Sequence, residues 1–350
     1  MHSQFHEISL KNFFDPDYCF IIAEAGVNHN GELKRALELV DIASDAGADA
    51  VKFQTFKPGE LTGAFTPNVA YINTPNAKPR DQLTKQLALD FECFRELKRR
   101  AEDKGLLFLS TPDGYESLHF LNFELDVPII KIGSSEVTHD QFLNAVGSCG
   151  KPVILSTGIS TISEVRNAYK CVYEPHHVSV TVLHCTSEYP APDNEINVKA
   201  MLHIGDVLGC NVGLSDHSIG NEAALASLAL GASVIEKHYT FDVNAPGPDH
   251  QASLGPEEMK QFVVSMRRLS AMLGDGIKRP TPSELSNISG VRRGVVAATE
   301  LKKGTVLCEK DLDFKRPFVG VNPAEVSNIV GRKLKREMKF EEPIKWDDLE

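Results

Sequence analysis

Two histidines and two lysines carry the first chemical signal in this chain. His217 and His238 close the runs NVGLSDH and SVIEKHYT. The intervening segment sets Leu225, Leu228 and Ala229 at helical spacing. A strand–helix–strand unit makes its two strands parallel, so both imidazoles come to one rim. Two imidazoles with water and an oxygen-bearing substrate suit Mn²⁺, Fe²⁺, Co²⁺ or Zn²⁺. Spacing alone weighs that role evenly against two ordinary polar histidines. Lys52 in AVKFQTF and Lys131 in IIKIGSS sit inside apolar runs. On strands covered on both faces these ammoniums are buried, and unpaired unless an anion meets them.

The elements that must position these groups follow a regular alternation. Strand candidates fall at 19–26, 50–56, 106–111, 129–135, 152–158, 179–186, 211–217 and 233–240, each followed by a helical segment. ECFRELKRRAEDKG ends on a Gly105 C-cap, and the last helix, PEEMKQFVVSMRRLSAML, begins with Pro256 and two acids. Eight βα units predict a (β/α)8 TIM barrel, an α/β fold whose active site gathers at the C-terminal strand ends. An open doubly wound sheet is the rival, but EAGVNHNG after the first strand is not its glycine-rich turn. Polar residues collect at the expected ends: Glu24, Lys52 and Gln54, Thr111, Lys131 with Ser134 and Glu136, Ser156, Ser187 with Tyr189, Ser215, His217 and His238. Serines and threonines there are also common helix N-caps, a reading that applies evenly to Ser156-Thr157-Gly158.

The barrel domain is expected over 1–275, a Pro/Ser/Gly-containing linker over 276–290 and a small β-rich domain over 291–350. ELKKGTVLCEKDL and EMKFEEPIKWDDL form an imperfect repeat within that last domain, which suggests two similar halves. Segment 57–90, with Phe65, Tyr71 and several leucines, is long for a βα connection and reads as a lid or subunit contact.

Composition narrows the partners. The net charge of −11 disfavours nucleic acid or an anionic membrane, though a small anion needs only a few local cations. No apolar run is long enough for a membrane helix and the N-terminus lacks a signal-peptide pattern. Seven scattered cysteines without a C-x-x-C pair fit a reducing, cytoplasmic setting.

The stretches IIAEAGVNHNG, GADAVKFQTF, FLSTP, IIKIGSSE, VILSTG, LHCTSEYPAP, GLSDHSIG, VIEKHYT and GPDHQASL closely resemble the sialic acid synthase family. RRGVVAATELKKG and DLDFKRP resemble its antifreeze-like (SAF) domain. The resemblance implies condensation of phosphoenolpyruvate with an N-acylated mannosamine-type aldose, N-acetylmannosamine first, giving a nine-carbon 2-keto acid and phosphate. A 2,4-diacetamido-2,4,6-trideoxymannose acceptor, as in legionaminic acid synthesis, is the alternative; a non-catalytic sugar-binding relative is the third. It also implies that His217 and His238 hold a divalent metal, Mn²⁺ foremost with Mg²⁺ or Co²⁺ as alternatives. Lys52, Thr111, Lys131, Ser134, Ser156, Ser187 and Ser215 would surround phosphoenolpyruvate. Glu24, Gln54, Tyr189 and Asp249 would face the sugar, and Glu24 or Glu136 would handle the attacking water's proton. Arg316 would hold the acyl group, crossing to the partner's barrel in a domain-swapped homodimer. Departures lie at Asp113-Gly114, Ser135, Ser187 and the KRPFVGVNP turn, where Phe318 and Val319 flank Arg316.

Overall fold

Eight largely apolar strands of the first 274 residues find their neighbours in one eight-stranded sheet. The computed structural model describes residues 10–63, 66 and 79–350. The strands are β1 (Phe20–Gly26), β2 (Ala50–Thr55), β3 (Leu107–Pro112), β4 (Ile130–Ile132), β5 (Val153–Ser156), β6 (Val180–Cys185), β7 (Asn211–Asp216) and β8 (Val234–His238). Their order is β3-β2-β1-β8-β7-β6-β5-β4, all parallel, with the ladder open between β3 and β4. The ends nonetheless meet, since a Cβ on Gly133 would lie 3.8 Å from Thr111 Cγ2. This is the expected TIM-like barrel. β4 and β5 are shorter than the sequence suggests because the chain turns away after Ile132, and Ser134 Oγ there accepts the Gly158 N–H at 2.8 Å.

The period-2 alternation divides each strand between two cores. Phe20, Ile22, Ala50, Leu107, Leu109, Ile129, Ile154, Leu183 and Val234 fill the barrel interior. Ile21, Val51, Phe108, Ile130, Val153, Val182, Leu214 and Ile235 face the helical layer. The helix Leu33–Ala46 shows how that layer docks: Ala36, Leu39, Val40 and Ala43 form its buried stripe, and Gly47 at φ 82° ends it in the left-handed region. One register step above the apolar interior, the inward positions turn polar. That step creates the site.

The chain divides into two units, one ending at Gly274 and the other running from Asp275 to Glu350. The second has its own core, including Val295, Leu307, Val321, Leu334 and Ile344, around antiparallel β9 (Gly294–Ala297) and β10 (Leu312–Lys315). Its repeat is structural. Leu301 bridges Met338, and Asp311 and Asp348 accept the N–H of Cys308 and Lys345 to close matching 3-10 turns. Phe65 and Tyr71 lie outside the described residues. Segment 57–90 also holds two short helices, Pro58–Leu61 and Arg80–Leu87. All seven cysteines are free. Among the described residues, no helix is long and apolar enough to cross a membrane.

Candidate active site

The polar inward step of the barrel lines a cavity of about 240 Å³ at the C-terminal strand ends. Glu24, Lys52, Gln54, Thr111, Lys131, Ser134, Ser156, Tyr189, Ser215, His217, His238 and Asp249, all named from the sequence or its resemblance, line it. Its floor is a charge network. Lys52 Nζ lies 2.8 Å from Glu24 Oε2 and 3.7 Å from Glu236 Oε2, and Lys131 Nζ lies 3.6 Å from that same Glu236 oxygen. Lys131 donates to Ser156 Oγ at 2.7 Å, and Ser215 Oγ donates to Glu236 at 2.9 Å. The anions that the two buried lysines need come in part from the protein itself: two carboxylates share them. The N-cap reading of Ser156-Thr157-Gly158 falls, since Thr161 caps the following helix.

The two floor carboxyls are pushed in opposite directions. Burial raises Glu24 to about 7, against Lys52 and with help from the Glu236 charge. Burial works the same way on Glu236, but Lys131 and Lys52 overcome it and hold that carboxyl at about 2. Two ammoniums thus face one full carboxylate and one that takes up a proton near neutrality. Burial, which the Glu236 carboxylate only partly offsets, lowers the Lys131 pKa from its ordinary value, so a bound anion would strengthen its ammonium form.

Above the floor, His217 and His238 face each other with ring centroids 5.3 Å apart, and Tyr189 stacks on His217 at 4.0 Å. Thr186 O, a pure acceptor 2.7 Å away, requires a proton on His217 Nδ1. The neutral ring then turns an Nε2 lone pair toward the Tyr189 hydroxyl at 3.1 Å. Burial lowers the pKa of His217, but the Cys185 sulfur and Thr186 carbonyl raise it above the ordinary value, so a bound cation would compete with a proton. Burial and then His217 hold His238 well below the ordinary value, which keeps it neutral, and among the described residues its buried Nδ1 has no hydrogen-bond partner. Oriented, neutral-capable imidazoles with an orphaned nitrogen fit a divalent metal. Among the described residues, no cluster of three or more His, Cys, Asp or Glu side chains is arranged to hold one, so water or substrate would complete the sphere.

The mouth differs in kind. Val27, Phe56, Leu61, Leu83 and Leu87 form an apolar wall, with Arg80, Asp113 and Asp249 set into it. Burial raises Asp113 to about 7, reinforced by Glu136, and burial raises Asp249 to about 6 against His217 and Arg80. Among the described residues, Arg80 Nη1 is buried without a hydrogen-bond partner. Gly26, at φ 51°, lies where Glu24, Asp249 and His238 converge; a Cβ there would sit 3.4–3.5 Å from all three. Asn28 donates to Tyr239 O and Ser253 Oγ, and the His250 ring sits 2.6 Å from Thr240 Oγ1. The Asn28 bonds, with His250 Nε2 3.3 Å from Asn30 Oδ1, tie the loop after β1 to the loop carrying Asp249, and the Thr240 bond braces that second loop internally.

Two expected residues, Glu136 and Ser187, stand elsewhere. The Glu136 carboxylate does not line the cavity; it bonds Ser135 Oγ and His139 Nδ1 at 3.2 and 2.9 Å. Ser187 lines a neighbouring cavity, and a Cβ on Gly158 would fall 2.0 Å from its Oγ. Arg316 belongs to the second unit. Sequence reasoning missed Glu236, Arg80 and Cys185. The alternation that selects Lys52 and His238 also selects Glu236, two residues before His238 on the same inward face.

Comparisons with known proteins follow the same lines. The profile of the NeuB family matches residues 39–278 and that of the SAF domain residues 292–350. A Campylobacter jejuni protein named N,N'-diacetyllegionaminic acid synthase is 42% identical over 93% of this chain and 98% of its own. A Legionella pneumophila protein of the same name is 41% identical over 95% of each. The solved N-acetylneuraminic acid (sialic acid) synthetase of Leptospira borgpetersenii superposes with a TM-score of 0.69. It is 35% identical and covers 77% of this chain and 90% of its own.

Proposed function

Because the chain belongs to the NeuB family, we propose that it condenses phosphoenolpyruvate with a 2,4-diacetamido-2,4,6-trideoxymannose, giving N,N'-diacetyllegionaminic acid and phosphate. The observation that carries this acceptor is the near full-length identity, 42% and 41%, to two relatives named for that product. The apolar mouth agrees, since a 6-methyl group and two acetamido methyls bury more favourably there than a hydroxymethyl group. N-acetylmannosamine, first choice from the sequence, becomes the second reading, favoured by the sialic acid synthetase from Leptospira borgpetersenii.

Lys52 and Lys131 receive the phosphoenolpyruvate anion among Thr111, Ser134, Ser156 and Ser215, where exclusion of water strengthens each contact. A divalent ion held by His217 and His238 would polarise the acceptor's aldehyde oxygen. C3 of phosphoenolpyruvate attacks the aldehyde carbon, leaving C2 electron-poor. Glu236, a fixed negative charge between the lysines, steadies that centre. Glu24, raised to about 7, takes the proton of the water that adds to C2. The tetrahedral intermediate then expels phosphate by C–O cleavage. Asp249 and Arg80 face the acceptor.

The test is phosphate release from phosphoenolpyruvate with each acceptor, with and without chelator. Faster release with the diacetamido-trideoxy sugar, lost on chelation, is expected; release with N-acetylmannosamine alone would give the acceptor to the second reading. The domain-swapped arrangement implied for Arg316 has its own check. Two inactive variants, Glu24→Gln and Arg316→Ala, should regain activity when mixed, because a swapped heterodimer rebuilds one complete site. No recovery after subunit exchange would count against the swap.

A further inference from the structure

The outer faces of the barrel strands are mostly apolar, as strands packed beneath helices require, with uncharged exceptions in the Thr55–Ser110 pair and His184. Among the described residues, one charged pair interrupts them. Asp216 is 2% exposed and Lys237 is 0% exposed, and neither lines the cavity. They are register partners on β7 and β8, with Nζ 2.9 Å from Oδ2. Two residues earlier the same outward pairing is filled by Leu214 and Ile235. An apolar pair would therefore pack at this depth. A buried ion pair is weak evidence for stability, because desolvation offsets most of the attraction.

The remaining bonds of the pair show what it constrains. Lys237 Nζ donates to Ser218 O at 2.6 Å. Asp216 Oδ1 accepts the Ser218 N–H at 2.9 Å and the Ser218 hydroxyl at 2.6 Å. Residues 216, 218 and 237 thus close a knot around a single peptide turn, and the residue enclosed by that turn is His217. Its side chain takes the opposite, inward direction, as does that of His238 next to Lys237. On the inner face the same register step joins Ser215 to Glu236. Backbone on both sides of His217, and immediately before His238, is pinned by one ammonium and one carboxylate that never touch the cavity.

We propose that Asp216 and Lys237, with Ser218, are positioning residues that hold His217 and His238 at the separation where both can face one cation. They thereby set the affinity of the site for a divalent metal. This rests on the metal reading above. Partners behind metal-binding imidazoles typically contribute 10–100-fold in metal affinity.

The test replaces the ion pair by an apolar pair, Asp216→Leu with Lys237→Met, and measures two things without turnover. One is thermal stability; the other is Mn²⁺ binding to the substrate-free protein, read as loss of the free-ion paramagnetic resonance signal. A melting temperature equal to or above that of the parent is expected, with Mn²⁺ affinity lowered about 10-fold or more. With phosphoenolpyruvate and acceptor added, kcat should fall while the KM for phosphoenolpyruvate stays within about twofold, since the floor is untouched. Equal Mn²⁺ affinity in parent and variant would overturn the proposal, as would a loss of stability with affinity preserved. A parent protein that binds no Mn²⁺ would instead sink the metal reading itself. If the double variant does not fold, Ser218→Ala removes one bond of the knot and leaves the ion pair. A two- to fivefold loss of affinity is then expected, and unchanged affinity overturns the inference.

Discussion

The floor and the mouth of the cavity are built by different parts of the chain. Floor residues stand on strands, two positions above an apolar interior, and their charges are locked to one another: Lys52 to Glu24 and Glu236, Lys131 to Glu236 and Ser156. Mouth residues stand on loops and on the helices Pro58–Leu61 and Arg80–Leu87, with an apolar wall and an arginine nitrogen that has no hydrogen-bond partner among the described residues. The difference divides the labour. A reaction centre needs preorganised charge, which rigid strands supply. Acceptor choice needs a surface that changes without disturbing that centre, and loops allow this.

The largest test of that division is Lys131→Met. It removes one ammonium from the floor and leaves Glu236 with one cation fewer. We expect kcat/KM for phosphoenolpyruvate to fall by about 10³-fold, roughly 4 kcal/mol of transition-state stabilisation, whichever sugar is offered. A loss that depended on the acceptor would blur the boundary. Next in size, Leu87→Asn in the mouth should change the ratio of kcat/KM between the diacetamido-trideoxy sugar and N-acetylmannosamine by about 10-fold, roughly 1.4 kcal/mol, toward the more polar sugar. Its KM for phosphoenolpyruvate should stay put; equal losses on both substrates would show that the wall belongs to the floor.

A third test concerns stability and pH. Folded Glu24 has its pKa raised to about 7 from an ordinary 4.5, so between those values the native state keeps a proton that the unfolded chain releases. Stability contributed by this group therefore falls as pH rises through that window and is level above it. Melting temperatures compared at pH 5 and pH 8 should drop less for Glu24→Gln than for the parent. An equal drop in parent and variant would mean that Glu24 is ionised across the window and that its carboxyl is not raised toward neutrality.

Much of the floor was legible because its signals are local. Alternation along each strand marks which residues share a face, so Lys52, Thr111, Lys131, Ser156, Ser215 and His238 could be placed on one rim before any strand was paired. The same local pattern carried the eight βα units, and the recurring Asp-Leu endings carried the pseudo-symmetry of the terminal unit. Glu136 shows the limit. It follows a strand in sequence, but the chain turns through Ser134–Glu136 and points its carboxylate at Ser135 and His139.

What only the tertiary structure decided are the pairings. Whether a buried lysine is neutralised by substrate or by protein depends on which carboxylates the barrel register sets across from it. Glu24 stands opposite Lys52 on one side and His238 on the other. Likewise Asp216 meets Lys237 only because β7 and β8 pair in one register rather than another. The mouth assembles from loops far apart in the chain, so no spacing announces it. Residue type and alternation are properties of neighbours along the backbone, and they determined the rim. Charge balance, proton affinity and acceptor surface are properties of neighbours in space, and closure of the barrel determined those.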